Sequence, residues 1–126
     1  MTLKSIQSKK SAPPVGPYSP AVLVNDFLYI SGQIPLMFDG TLVSGNFEEE
    51  VHQVLRNIEA LLNEADASWA NVVKVNIFTT DLGKFDVINS IYSQYVSEPY
   101  PARAAVEVSA LPKGVRIEME AIAYVK

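Results

Sequence analysis

Apolar residues recur along this chain with two periods, and the switches between them mark its elements. Val51, Val54, Leu55, Ile58, Leu61, Leu62 and Ala65 fall at helical spacing and predict a helix over about 47–65. Asn46 stands before it as an N-cap, with Glu49 placed to complete a capping box. Glu48, Glu49 and Glu50 favour the positive end of the helix dipole. A second helix, about 84–97, carries Phe85, Ile88, Tyr92 and Tyr95 as its apolar stripe. Asn89 is the polar exception in that stripe and is expected to make a specific buried hydrogen bond.

The strand pattern brackets these helices. Leu3–Ile6 reads as a short edge strand, and Ala21–Val24 and Phe27–Ser31 flank the polar pair Asn25-Asp26 as a β-hairpin. Asn71–Thr79 is rich in β-branched residues, with Val73, Val75 and Ile77 on one face. Two strands close the chain, at about 103–109 and 115–125. Residues 35–46 hold Pro35, Gly40 and Gly45 and read as a loop. The order β-β-β-α-β-α-β-β predicts an α+β fold in which two helices pack on one face of a mixed six-stranded sheet.

Leu111-Pro112-Lys113-Gly114 predicts a tight turn that pairs the last two strands as a hairpin. With Ala110 opposite Val115, Val106 and Val108 join Ile117 and Met119 on the core side. Glu107 then faces Glu118, a repulsive arrangement that would make one of them hold its proton more readily or bring a cation nearby. Arg103 pairs with Ile122, roughly 13 Å along the strand from Glu118. That is too long for one small substrate, so a shared site needs the two residues to come from different subunits. The second face mixes Arg103, Glu107, Glu118 and Glu120 with Ala105, Ile122 and Tyr124, a character that suits cover by another chain in a closed oligomer.

Composition narrows the function. The 126 residues suit a single domain, residues 1–126. The net charge of −4 and the absence of a basic run beyond Lys9-Lys10 argue against a phosphate backbone as partner. With no cysteine, a thiolate metal site or thiol nucleophile is excluded, and the lone His52 has no partner for a metal site. The N-terminus lacks the apolar segment of a signal peptide and no run is long enough to span a membrane, so the expected location is cytoplasmic.

A set of short motifs then stands out in order along the chain. It comprises Gly16-Pro17-Tyr18-Ser19-Pro20-Ala21, Ile30-Ser31-Gly32-Gln33-Ile34-Pro35, Asn57, Val72-Val73-Lys74, Phe85 through Asn89 to Tyr92, Pro101-Ala102-Arg103, Leu111-Pro112 and Ile117 to Ala123. Each is common alone, but the ordered set, collinear from about residue 12 to the end, resembles the RidA/YjgF family of 2-iminobutanoate/2-iminopropanoate deaminases, also labelled L-PSP endoribonuclease-like.

The resemblance implies a chorismate-mutase-like fold and a homotrimer with active sites between subunits, needing no metal or organic cofactor. It implies that Arg103 binds the substrate carboxylate, that Glu118 handles the hydrolytic water, and that Tyr18, Ser31, Gly32 and Asn89 line the site. Ala104 stands where many members have Ser, Ala105 where many have Cys, and Asp66 where glycine is common. The implied reaction is hydrolysis of reactive 2-imino acids such as 2-iminopropanoate and 2-iminobutanoate to 2-keto acids and ammonia. The chemistry fits the residues: a planar guanidinium matches a carboxylate, and a glutamate can orient and deprotonate water. Two alternatives use the same chain. One is an endoribonuclease or translation inhibitor, disfavoured by the acidic charge. The other is a non-enzymatic, chaperone-like trimer that binds small carboxylates.

Overall fold

The computed structural model describes residues 2–126. Its strands are β1 (Lys4–Ile6), β2 (Ala21–Val24), β3 (Phe27–Gln33), β4 (Val72–Thr79), β5 (Ala102–Glu107) and β6 (Ile117–Tyr124). Its helices are α1 (Phe47–Glu64), after β3, and α2 (Phe85–Tyr92), after β4. The element order and the mixed six-stranded sheet with two helices are as predicted.

Local signals account for most elements. Asn46 caps α1 through its side chain, which accepts from the Glu49 amide at 3.1 Å. The Glu49 carboxylate lies 4.0 Å from Arg56. In the glycine-free β2–β3 turn, Asn25 adopts the left-handed conformation that asparagine tolerates. Val51, Val54, Leu55, Ile58, Leu61 and Leu62 are fully buried against Leu28, Val75, Ile77, Ile117 and Met119 of the sheet. α2 is shorter than predicted and ends at Tyr92, with Tyr95 in the turn that follows.

The sheet order is β1-β2-β3-β6-β4-β5, which overturns the predicted final hairpin. β5 lies parallel to β4 at the sheet edge, and β6 inserts antiparallel between β3 and β4. The turn at 112–114 forms, but it straddles the end of β4. Val108 donates to the Thr79 carbonyl at 2.8 Å, and the Thr80 amide donates to the Arg116 carbonyl at 3.1 Å. A turn signal reports only its own residues, and here a third strand enters between the two arms. The helix-facing side of β5 is consequently that of Arg103 and Ala105, and Val106 is exposed.

Two irregularities shift the pleat. Between Val72 and Lys74 the β4–β6 register slips, so Val72 is buried and Val73 is exposed, contrary to the expected alternation. Between Ile30 and Gln33 the β3–β6 register slips again, at Ser31-Gly32. Bulges of this kind re-aim side chains near functional sites. The face away from the helices carries Phe27, Tyr29 and Tyr124, all substantially exposed, beside Ile122 and Glu120. No helix is long and apolar enough to cross a membrane among the described residues.

Candidate functional site

The candidate residues fall into two groups on opposite sides of the sheet. The first surrounds the bulge in β3. A Cβ on Gly32 would collide with the Glu118 carboxylate, meeting its Cδ at 2.9 Å and its Cγ at 3.3 Å. Glycine therefore makes the space that Glu118 occupies. The Ser31 hydroxyl donates to the Ser19 carbonyl at 2.7 Å, and the Ser31 amide donates to the Pro20 carbonyl at 2.9 Å. These bonds pin the proline-rich loop to the strand. In that loop the exposed Tyr18 accepts from the Val15 amide at 3.2 Å and lines, with Gly32, a small crevice.

Burial raises the Glu118 carboxyl above the ordinary glutamate value, and the charge of Glu120 adds to the effect. The predicted repulsive partner, Glu107, lies elsewhere. Its carboxylate accepts from the Leu82 amide at 2.9 Å. Glu120, two residues along the same face of β6, supplies the like charge instead, and it accepts from Asn76 at 3.0 Å.

The second group lies against α2. Arg103 donates through Nη1 to Asn89 Oδ1 at 2.7 Å. Its Cζ stands 5.2 Å from the Phe85 ring centroid and 5.1 Å from that of Tyr92. Asn89 is half-buried and its partner exposed, so the expected bond exists but not as a fully buried one. No carboxylate lies within 4.0 Å of Arg103 among the described residues. A cavity of about 410 Å³ opens beside it, lined by Asn89, Tyr92, Val96, Tyr100 and Pro101. The cation therefore presents uncompensated charge to a partly apolar cleft, an arrangement suited to a small organic anion.

Register separates the groups. Arg103 pairs with Val75, a buried residue of the helix side, whereas Glu118 pairs with Phe78 on the opposite side. Two strand spacings, roughly 10 Å, also lie between them. The roughly 13 Å expected from a hairpin no longer applies, but opposite faces separate the residues within one chain more decisively. Ala105 shares the Arg103 side and Ala104 the other.

The sequence places Phe85 and Tyr92 in the apolar stripe of α2 and in the motif that runs through Asn89, without assigning either a contact with Arg103. Their spacing around Asn89 was the available signal for a role beside Arg103. His52 is engaged with Tyr95, whose hydroxyl lies 2.8 Å from Nδ1. No group of three or more His, Cys, Asp or Glu side chains converges as a metal site among the described residues.

The family described as Endoribonuclease L-PSP matches residues 9–125. A RutC family protein of Pyrococcus abyssi is 48% identical over 98% of both chains. The human 2-iminobutanoate/2-iminopropanoate deaminase is 47% identical over 94% of this chain and 87% of its own length. The crystal structure of E. coli TdcF with bound serine superposes with a TM-score of 0.91 at 33% identity, covering 98% of this chain and 99% of that one.

Proposed function

The chain belongs to the Endoribonuclease L-PSP family, and from that premise we propose that it is a 2-imino acid deaminase. The observation that carries this reading is Arg103. Its guanidinium is held by neutral partners beside a cavity, with its charge left for a substrate carboxylate. Glu118 is the second catalytic group, and its raised carboxyl suits a base that must also return a proton.

The reaction balances with water alone. Arg103 binds the carboxylate of the imino acid, and Glu118 takes a proton from a water as its oxygen adds to the C=N carbon. That proton passes to nitrogen, giving a carbinolamine. Glu118 then moves the hydroxyl proton to the same nitrogen, the C–N bond breaks, and the oxygen remains as the keto group while ammonia leaves. Because Arg103 and Glu118 face opposite ways in one chain, the site joins Arg103 and Asn89 of one subunit to Glu118, Gly32, Ser31 and Tyr18 of another. The exposed aromatic face supports a closed oligomer with this face inward, which the proposal takes as a homotrimer. The proposed reaction is cytoplasmic and uses no cofactor.

The reading is tested by ammonia release from enzymatically generated 2-iminobutanoate or 2-iminopropanoate. Addition of the protein is expected to accelerate release. Arg103→Ala is expected to lower kcat/KM by about a hundredfold or more, and Glu118→Gln to lower kcat by about 10²–10⁴-fold. An unchanged hydrolysis rate on adding the protein overturns it. Serine in the TdcF crystal favours one competing reading, a carboxylate-binding protein without turnover, and saturable binding with no ammonia release would select it.

A further inference from the structure

Phe85, Asn89 and Tyr92 stand at i, i+4 and i+7 of α2 and so share one helix face. At 1.5 Å per residue, the two aromatic positions are roughly 10.5 Å apart along the axis. The Arg103 Cζ lies 5.2 Å from the Phe85 ring centroid and 5.1 Å from that of Tyr92, so the guanidinium is nearly equidistant from the two rings. Asn89, which stands between them on the helix face, accepts from it at 2.7 Å. Tyr92 is 6% exposed and belongs to the main core, so its ring cannot swing aside. Its hydroxyl has no hydrogen-bond partner among the described residues.

We propose that Tyr92 is a positioning residue for Arg103: its buried ring, opposite Phe85 and across Asn89, holds the guanidinium in the orientation that meets a carboxylate. This rests on the reading of Arg103 as the carboxylate anchor. An exposed arginine samples many rotamers, and a substrate that must freeze them binds more weakly. Aromatic faces attract the cation without neutralising it, and the amide oxygen occupies one N–H while leaving the others to the ligand. An acidic wall would hold the side chain equally well but cancel its charge. The ring is the working part. The hydroxyl, which makes no bond, is dispensable.

The test compares KM and kcat for in situ 2-iminobutanoate in the full chain and its Tyr92→Leu, Tyr92→Phe, Phe85→Leu and Arg103→Ala variants. Tyr92→Leu is expected to raise KM about five- to tenfold, as loss of one cation–π contact implies, with kcat much less affected. Tyr92→Phe is expected to restore the parent KM. The Arg103 Nη1 protons, whose bond to Asn89 is expected to slow their exchange in the parent and in Tyr92→Phe, are expected to exchange rapidly in Tyr92→Leu. A folded Tyr92→Leu with the parent KM, or a Tyr92→Phe as impaired as Tyr92→Leu, overturns the proposal. Should Tyr92→Leu not fold, Phe85→Leu decides on the same KM criterion, because Phe85 is only half-buried. Full activity in Arg103→Ala would overturn the anchor reading itself. An inactive Arg103→Ala beside an unaffected Tyr92→Leu overturns only the role of Tyr92.

Discussion

Arg103 and Arg116 both lay a guanidinium over an aromatic ring, Arg103 over Phe85 and Tyr92 and Arg116 over Phe47, each at a little over 5 Å. They differ in the polar partner. Arg116 is bound through two nitrogens to Glu50, whose side chain is 4% exposed. Arg103 is bound to the neutral amide of Asn89. The first pair joins α1 to the start of β6 and leaves no charge over. The second leaves a full positive charge beside a cavity. Arg116, which ties two elements together, is neutralised by its holder, whereas Arg103, the proposed ligand anchor, is held without being neutralised.

The sharpest way to break this contrast is to make the Arg103 site resemble the other. Asn89→Asp places a carboxylate where the amide accepts, so the guanidinium is matched internally and the substrate must compete with it. The expected result is a loss of kcat/KM of roughly a hundredfold, carried mainly by KM, with thermal stability equal or higher. Steady-state ammonia release beside a melting curve checks both halves. Parent-like kinetics would show that the neutrality of the partner is irrelevant.

The converse change is Arg116→Ala. It strands Glu50 in the α1–sheet interface and is expected to cost about 2 kcal/mol, less than a fully buried pair would because Arg116 itself is partly exposed. Urea unfolding at fixed protein concentration measures this. The per-subunit activity of the folded fraction is expected to fall much less than in Arg103→Ala. A variant as stable as the parent would remove the structural half of the contrast.

These two arginines also show where sequence reasoning reaches and where it stops. α1 was legible because its cap, its acidic first turn and its apolar stripe are all local. The helix side of the sheet was mostly legible for the same reason, save at Val73, where a bulge changes the pleat, and along β5, where Val106 was expected in the core and is exposed. The neighbour of β5 was not legible. The turn at 112–114 is a true turn, but nothing within it reveals that β4 passes between its arms. Arg103 and Glu118 are picked out in the sequence by residue type and motif context, and their separation within one chain was expected for a reason the topology replaced. The Glu50–Arg116 pair spans elements far apart in the chain and has no local signature. Tyr92 was hidden because a tyrosine in an apolar stripe reads as core, which it also is.

A smaller effect is expected at Gly32, where the contrast extends to the carboxylate side. The Gly32 backbone does not adopt a positive φ, so alanine is sterically possible for the chain itself. Its methyl would displace the Glu118 carboxylate. Gly32→Ala is expected to lower kcat about tenfold or more, as misplacement of a base by an ångström or less would, while costing no more than about 1 kcal/mol in stability. Parent-like kcat would mean that Glu118 need not occupy its present position.

The smallest expected effect is a pH-dependent stability difference at Glu118. Burial first, and Glu120 second, lift this carboxyl above the ordinary value of 4.5, so the folded chain keeps the proton to higher pH than the unfolded chain. Between those two values the folded state binds more protons, and stability falls as pH rises through that window. Above the window, the ionised Glu118 is a standing cost to the fold. Below about 4.5 the side chain is neutral in both states and the cost is gone. Glu118→Gln removes the ionisation, so it is expected to melt higher than the parent at pH 8, with the gap closing towards pH 4. The parent's activity is expected to fall on acidification at a pH above the ordinary glutamate range, because the base must be ionised to accept the proton of water. A melting-point difference that stays constant from pH 4 to pH 8 would show that Glu118 is not destabilised by its surroundings. The proposal that Glu118 acts as base would then rest on the kinetics alone.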